Sequence, residues 1–303
     1  MSPQPQALVL PPEVRPLSAA EFGLYQRLVF REAGIHLGDV KQALVASRLL
    51  RRIRELGMTT YAAYYRRVVE EKSELVLMLD AITTNETQFF REPHHFDLLT
   101  TRLVPRWRDE AADGRRGRQV TLWSAGCSSG EEPYSLAMTL LSALPPEEGW
   151  QVQILGTDLS SRVLDRARQG IFAADRTAVI PRPLLERFML RGVGSQEGNV
   201  KVAPVLEAAV TFRRLNLNQQ PYALSGSFDA VFCRNVFIYF DRPTRDRIVE
   251  QMLEHLRPGG CFFVGHSESL GGVAGLETLM PTVYRKPERA GAEPAPRPVE
   301  DRA

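Results

Sequence analysis

Val120-Thr121-Leu122-Trp123-Ser124-Ala125-Gly126-Cys127-Ser128-Ser129-Gly130-Glu131-Glu132 reads as a strand, a tight turn and the start of a helix. Residues 120–123 form a short apolar run. The glycines and serines cannot continue it, and a helix is expected over 132–144, stopped by Pro145-Pro146. The unit then repeats. A second apolar run, 152–156, ends at Asp158, and a helix over 161–169 follows, with Gly170 at the position after its C-terminus. A third run, 228–233, precedes Asp241, which can cap a helix to Leu256; the turn Arg257-Pro258-Gly259-Gly260 leads into a strand at 261–265. Strands alternating with helices of this length predict a parallel sheet covered on both faces, an α/β domain over 119–287.

The flanks read differently. Ser18 and Glu21 have capping-box spacing, Leu17 and Phe22 can form a hydrophobic staple, and Gly34 can stop the helix that follows. From Val40 to Gly57, Val45, Leu49, Ile53 and Leu56 share one helical face. Further helices are expected at 60–71 and 74–82, so 17–82 is an all-helical domain, joined through 83–118 to the sheet. Within the sheet domain, 176–213 breaks the alternation. Arg191-Gly192-Val193-Gly194-Ser195-Gln196-Glu197-Gly198 reads as a turn between strands, with 200–205 and 209–212 following, which suggests a small antiparallel insertion. The Pro-rich 1–16 and the Glu/Arg/Ala/Pro-rich 288–303 read as disordered tails.

Composition narrows the function. A net charge of +2 is too small for bulk nucleic-acid binding. Cys127, Cys233 and Cys261 are odd in number and widely spaced, so they give no disulfide framework. With no CxxC pair and no HExxH helix, no metal is expected, and His94-His95 reads as surface histidines at a helix start. No charged leader precedes an apolar run and no stretch of about 18 apolar residues occurs, so a cytoplasmic location is expected.

The chemistry should sit beyond the carboxyl ends of the strands, where glycine turns let backbone approach a ligand. The turn at Gly126–Gly130 is not GxGxxG and lacks a P-loop lysine. Glu131 and Glu132 at the helix start would repel a phosphate, and they suit a cation or a set of hydroxyls; as plain helix-start acids they would favour the dipole. Asp158, just past the second strand, can accept from a ribose diol. An acidic ribose acceptor, an acidic glycine turn and no phosphate fingerprint favour a nucleoside with a cationic group, for which S-adenosylmethionine is the obvious candidate.

Five blocks carry a resemblance. They are Thr83-Thr84-Asn85-Glu86-Thr87-Gln88-Phe89-Phe90-Arg91-Glu92, then Trp123 through Ser135, then Gly156-Thr157-Asp158, then Phe228 through Asp241, then Gly265-His266-Ser267-Glu268-Ser269. In this order they resemble the CheR family of chemotaxis receptor methyltransferases, over nearly all of 18–286. The resemblance implies a Rossmann-like S-adenosylmethionine methyltransferase domain with a small antiparallel β-subdomain inserted, preceded by an all-α domain. It implies cofactor contacts at Asn85, Thr87, Arg91, Glu131 or Glu132, Asp158, Asn216, Leu217, Arg234 and Asn235, and it places Arg91 and Tyr239 beside the transferred methyl. It implies glutamate carboxylates of receptor helices as acceptors, with S-adenosylhomocysteine as the other product. Lys41, Arg48, Arg51, Arg52 and Arg54, a run with no acid among them, would meet the acidic receptor helix. Gly192 and Gly194 resemble the loop that binds a tethering peptide from the receptor C-terminus.

Three rival readings fit these residues less well. An RNA methyltransferase would be expected to interleave aromatics with the basic run 41–54, which has none. A serine hydrolase would need glycine two residues after Ser267, where Ser269 stands. A binding module that has lost catalysis would not need the cofactor constellation.

Overall fold

The computed structural model describes residues 13–273 and 275–288. The expected tails lie outside the described residues except at their inner ends. There, order begins before Leu17: Val14 packs on the helical core, and the Arg15 N–H donates to the Thr59 carbonyl at 2.9 Å.

The helical domain comprises α1 (Ala19–Ala33), α2 (Gln42–Glu55), α3 (Tyr61–Glu70) and α4 (Lys72–Ile82). The capping box forms as read, with Ser18 and Glu21 exchanging hydrogen bonds and Gly34 closing α1 in the left-handed region. Leu17 and Phe22 are both buried in the same cluster as Val45, Leu49 and Ile53. The helix expected from Val40 is a 3-10 turn, Asp39–Lys41, before α2 begins. Glu74 is buried and takes Arg52 at 2.7 Å and the Tyr64 hydroxyl at 3.0 Å.

A connecting segment holds α5 (Pro93–Leu98), a π-helical turn (Leu99–Leu103) and α6 (Val104–Ala112). There follow β1 (Gln119–Ala125), α7 (Glu131–Ala143), β2 (Gln151–Asp158), α8 (Ser161–Gln169), β3 (Ile171–Ala173), α9 (Ala174–Thr177), α10 (Arg182–Phe188), β4 (Met189–Arg191), β5 (Asn199–Val202), α11 (Pro204–Ala209) and β6 (Val210–Arg214). The chain finishes with β7 (Phe228–Phe232), α12 (Arg242–Glu254), β8 (Leu256–Phe263), β9 (Glu277–Met280) and β10 (Val283–Arg285). The main sheet has the order β6-β2-β1-β7-β8-β10-β9, with the first five strands parallel, β10 antiparallel to β8, and β9 antiparallel to β10. Apolar residues of both faces fill two clusters, one behind α7 and the other under α12.

Three sequence expectations shift here. Residues 209–212 do not belong to the insertion: β6 pairs in parallel with β2 at the edge of the main sheet. The small sheet instead takes β3 from upstream of residue 176 and runs β3-β5-β4, all antiparallel. Both strands are short apolar runs of similar pattern, so only their partners distinguish them. Residues 257–260, read as a turn, are part of β8, where a bulge opposite Asp229 absorbs the Pro-Gly-Gly.

Candidate active-site cleft

Strand order reverses beside β1, since β2 lies on one side of it and β7 on the other. A crevice opens at such a switch point, outside the carboxyl ends of the strands. Here it is a cleft of about 280 Å³ whose walls include the ends of β1 (Gly126, Ser128), β2 (Asp158), β6 (Asn216, Leu217) and β7 (Arg234, Asn235). The helical domain roofs it with Ala33, Leu37, Lys41 and Leu44, and the segment after α4 adds Thr84, Asn85 and Arg91. The roof is fastened by backbone: the His36 N–H donates to the Tyr239 carbonyl at 2.8 Å, and Ile35 bridges Phe240. The Asn216 amide donates to the Glu32 carbonyl, and Asp80 accepts from the Ser161 and Arg162 N–H groups that open α8.

Of the expected cofactor residues, Asn85, Arg91, Asp158, Asn216, Leu217, Arg234 and Asn235 line this one cleft, as does Tyr239. Thr87, Glu131 and Glu132 do not line it. Gly126 has a φ of 75°, and a Cβ there would sit 2.4 Å from Val236, so the turn admits no side chain. Among the described residues, five non-glycine residues have positive φ: Phe90, Glu92, Ser128, Asn235 and Thr282. Two of them line the cleft and two flank Arg91. Backbone strain of this kind is concentrated where a site over-determines it.

Asp158 is buried, and its carboxylate accepts from the Ser128 and Ser160 N–H groups at 2.9 Å each. Burial pushes its carboxyl above the ordinary aspartate range against those hydrogen bonds. Each carboxylate oxygen keeps a lone pair for a hydroxyl donor. The two helix-start acids part company. Glu131 turns away from the cleft to the Ser129 hydroxyl and Arg176, at 2.7 and 2.6 Å. Glu132 takes the Ser124 hydroxyl and the Nε of Arg234, at 2.7 and 2.6 Å. Arg234, with its side chain 2% exposed, also donates to the Arg91 carbonyl and to His95 Nδ1, at 2.6 and 3.2 Å.

His95 departs from its expectation as a surface residue, for it is wholly buried. Nδ1 accepts from Arg234, so Nε2 carries the proton toward Thr282 Oγ1 at 2.9 Å. Burial, with Arg234 and His94 adding to it, lowers its pKa to about 3. Glu92, His94 and His95 bring donor atoms within 4.8 Å of one another, but the nitrogen a cation would need from His95 is already bonded to a guanidinium.

Arg91 donates to the Glu86 carbonyl at 3.4 Å, a long bond. The Tyr239 hydroxyl lies 3.5 Å from the Thr84 carbonyl, burial raises its pKa, and Lys41 Nζ stands 5.6 Å above its ring. The basic run divides. Arg52 is tied to Glu74, and Arg48 to the Ile82 carbonyl and the Thr84 hydroxyl, whereas Arg51, paired with Glu55 at 2.8 Å, and Arg54 are exposed. Sequence reasoning missed Glu268, whose buried carboxylate accepts from the N–H groups of Asn235, Ile238 and Gly265 and so shapes the turn after β7. It also missed Ser128, Glu92 and Arg176. The block 265–269 held a signal for Glu268, because a carboxylate two residues after a histidine in a Gly/Ser turn is a ready acceptor for turn amides.

Two family models match this chain in tandem. The CheR methyltransferase all-alpha domain covers residues 20–83, and the CheR methyltransferase SAM binding domain covers 85–285. The chain belongs to the CheR methyltransferase family. It is 44% identical over 253 residues to "Chemotaxis protein methyltransferase 2" of Pseudomonas aeruginosa, which covers 82% of this chain and 86% of the relative. It is 40% identical over 272 residues to "Chemotaxis protein methyltransferase" of Escherichia coli, with 88% and 91% covered. This CheR methyltransferase takes its methyl group from S-adenosylmethionine, and the cleft at the strand ends fits a nucleoside ligand, with the buried Asp158 carboxylate and the side-chain-free Gly126 in its wall. Among the described residues, no helix of this CheR methyltransferase is long and apolar enough to cross a membrane.

Proposed function

We propose that the chain methylates glutamate side chains of chemotaxis receptors, producing glutamate methyl esters and S-adenosylhomocysteine. The observation that carries this reading is one cleft in which Asp158, Arg234 and Asn235 stand at the switch point while Arg91, Tyr239 and Lys41 stand toward the helical roof. Bound S-adenosylmethionine supplies an electrophilic sulfonium methyl. A glutamate carboxylate is ionised at neutral pH and is its own nucleophile, so no general base is needed. One carboxylate oxygen forms the new O–C bond as the S–C bond breaks, the electron pair goes to sulfur, and no proton moves. The residues' task is to hold the oxygen about 3 Å from the methyl, in line, and to exclude water. Arg91 orients the carboxylate, Tyr239 closes the site, and Asp158, Asn216 and Asn235 hold the nucleoside. Of the two acids, Glu132 is the one coupled to the cleft, because its partner Arg234 lines it.

Exposed Arg51 and Arg54 steer the acidic receptor helix, an attraction that salt weakens. This acceptor puts the enzyme on the cytoplasmic side. For tethering, β4 is an open edge of the small sheet, and Leu190 and Val193 beside it are 51% and 79% exposed. A receptor C-terminal peptide adds there as a strand and raises the local substrate concentration.

The test is transfer of labelled methyl to a receptor cytoplasmic fragment, with glutamate-to-alanine variants and alkaline release. Alkali-labile label that vanishes in the variants is expected. Cofactor binding with no label on any receptor fragment would refute the acceptor assignment. Peptide titration of the isolated enzyme checks tethering, which fails if binding survives insertion of a proline in β4.

A further inference from the structure

The inserted small sheet sends one cation back to the cofactor side. Arg176 lies in α9, directly after β3, and the Ala174 N–H is held by the Gly198 carbonyl at 2.9 Å. Its Nη2 donates both to Glu131 Oε1 at 2.6 Å and to the Thr87 carbonyl at 2.9 Å. These two acceptors belong to different walls. Glu131 is 1% exposed and opens α7 at the end of the glycine turn. Thr87 lies in the segment after α4, where residues 83–88 have no helix or strand to fix their path.

The path of that segment is set by a few point contacts. Ser128 Oγ donates to the Asn85 carbonyl at 2.9 Å, Arg91 reaches the Glu86 carbonyl, and Arg176 takes Thr87. Asn85 and Ser128 both line the cleft. We infer that Arg176 is a positioning residue that clamps the 83–91 segment to the glycine turn, so that the small sheet holds the cofactor cleft in its binding shape.

The chemistry favours arginine here. Glu131 is a buried carboxylate whose other oxygen is taken by the Ser129 hydroxyl, so its charge needs a cation. The guanidinium presents several N–H donors in a fixed fork and can serve a carboxylate and a carbonyl together. The Arg176 side chain is 49% exposed, so shortening it leaves no cavity in the core. Its loss therefore acts on the cleft more than on folding.

The experiment is calorimetric titration of the full chain with S-adenosylhomocysteine, followed by steady-state kinetics on a receptor fragment. Arg176→Ala is expected to raise Kd on the order of ten-fold, since a lost hydrogen bond to a charged group is worth about one decade. The cofactor KM rises in parallel, while kcat at saturating cofactor and the receptor KM change less than about two-fold. Arg176→Lys, which keeps the charge, recovers part of the affinity. Arg168→Ala removes an arginine of α8 bonded to Asp165 and the Phe212 carbonyl, and it leaves Kd unchanged. If Arg176→Ala does not fold, Arg176→Gln, which keeps a donor without charge, gives an intermediate Kd. An unchanged Kd in either folded variant overturns the inference, as does an equal rise in Arg168→Ala.

Discussion

Replacing Arg234 with methionine tests the buried polar network under the cleft. The Arg234 side chain is 2% exposed, and three acceptors depend on it: Glu132 Oε2, the Arg91 carbonyl and His95 Nδ1. Methionine keeps most of the volume, so the cavity contribution is small. The cost comes from Glu132, a carboxylate left buried with only the Ser124 hydroxyl. Removing one partner of a buried ion pair costs about 3–5 kcal/mol. The orphaned carbonyl and imidazole nitrogen push the figure toward the upper end of that range, since each unsatisfied buried group costs about 1–3 kcal/mol and relaxation recovers some of it. The assay is urea unfolding without added cofactor, followed by tryptophan fluorescence. Trp107, Trp123 and Trp150 are the chain's three tryptophans, all buried outside the helical domain, so the signal reports the sheet domain alone. Adding Glu132→Leu to the variant removes the stranded charge and is expected to restore about 2 kcal/mol. A loss below about 1 kcal/mol for Arg234→Met, or no recovery in the double variant, would refute the network argument.

Three further outcomes follow from the geometry. His95 resists protonation until about pH 3, whereas an unfolded histidine takes a proton near 6.5, so the unfolded chain binds more protons between those values and stability falls as pH drops through that window. His95→Gln should flatten this dependence by up to about 1.4 kcal/mol per pH unit, read from urea midpoints at pH 7 and pH 5. In the helical domain, Glu74 is held below its ordinary pKa first by Arg52, and Arg52→Ala should cost about 2–4 kcal/mol, read by hydrogen exchange of α2 and α4 amides; exchange unchanged from the parent would contradict it. Gly192→Ala should unpair the β4–β5 hairpin and abolish peptide binding, read by peptide titration, because a Cβ there would meet the Gln196 carbonyl oxygen at 2.0 Å; by contrast Gly194 has open space around it.

Much was legible in sequence because local rules and tertiary structure agree. The capping box at Ser18 and the stop at Gly34 bound α1, and the apolar face of 45–56 packs where its period puts it. The strand, turn and helix at 119–143 form because a glycine turn with φ of 75° at Gly126 admits no other path. What was illegible concerns partners. His94 and His95 are identical letters, and only packing against Phe263 and Arg234 buries the second. Glu131 and Glu132 are neighbours on a helix, about 100° apart, so one faces Arg176 and the other Arg234.

The sequence by itself determined the element types, the parallel α/β class, the helical front domain and the family, because these follow from periodicity, turn residues and ordered motifs along the chain. Tertiary structure decided which strand joins which sheet, which of two adjacent acids pairs with Arg234 and which with Arg176, which arginines of the basic run remain exposed, and that Arg176 returns from the insertion to the glycine turn. Each of those depends on residues tens to about a hundred positions apart in the chain meeting in space, and no local pattern encodes such a meeting.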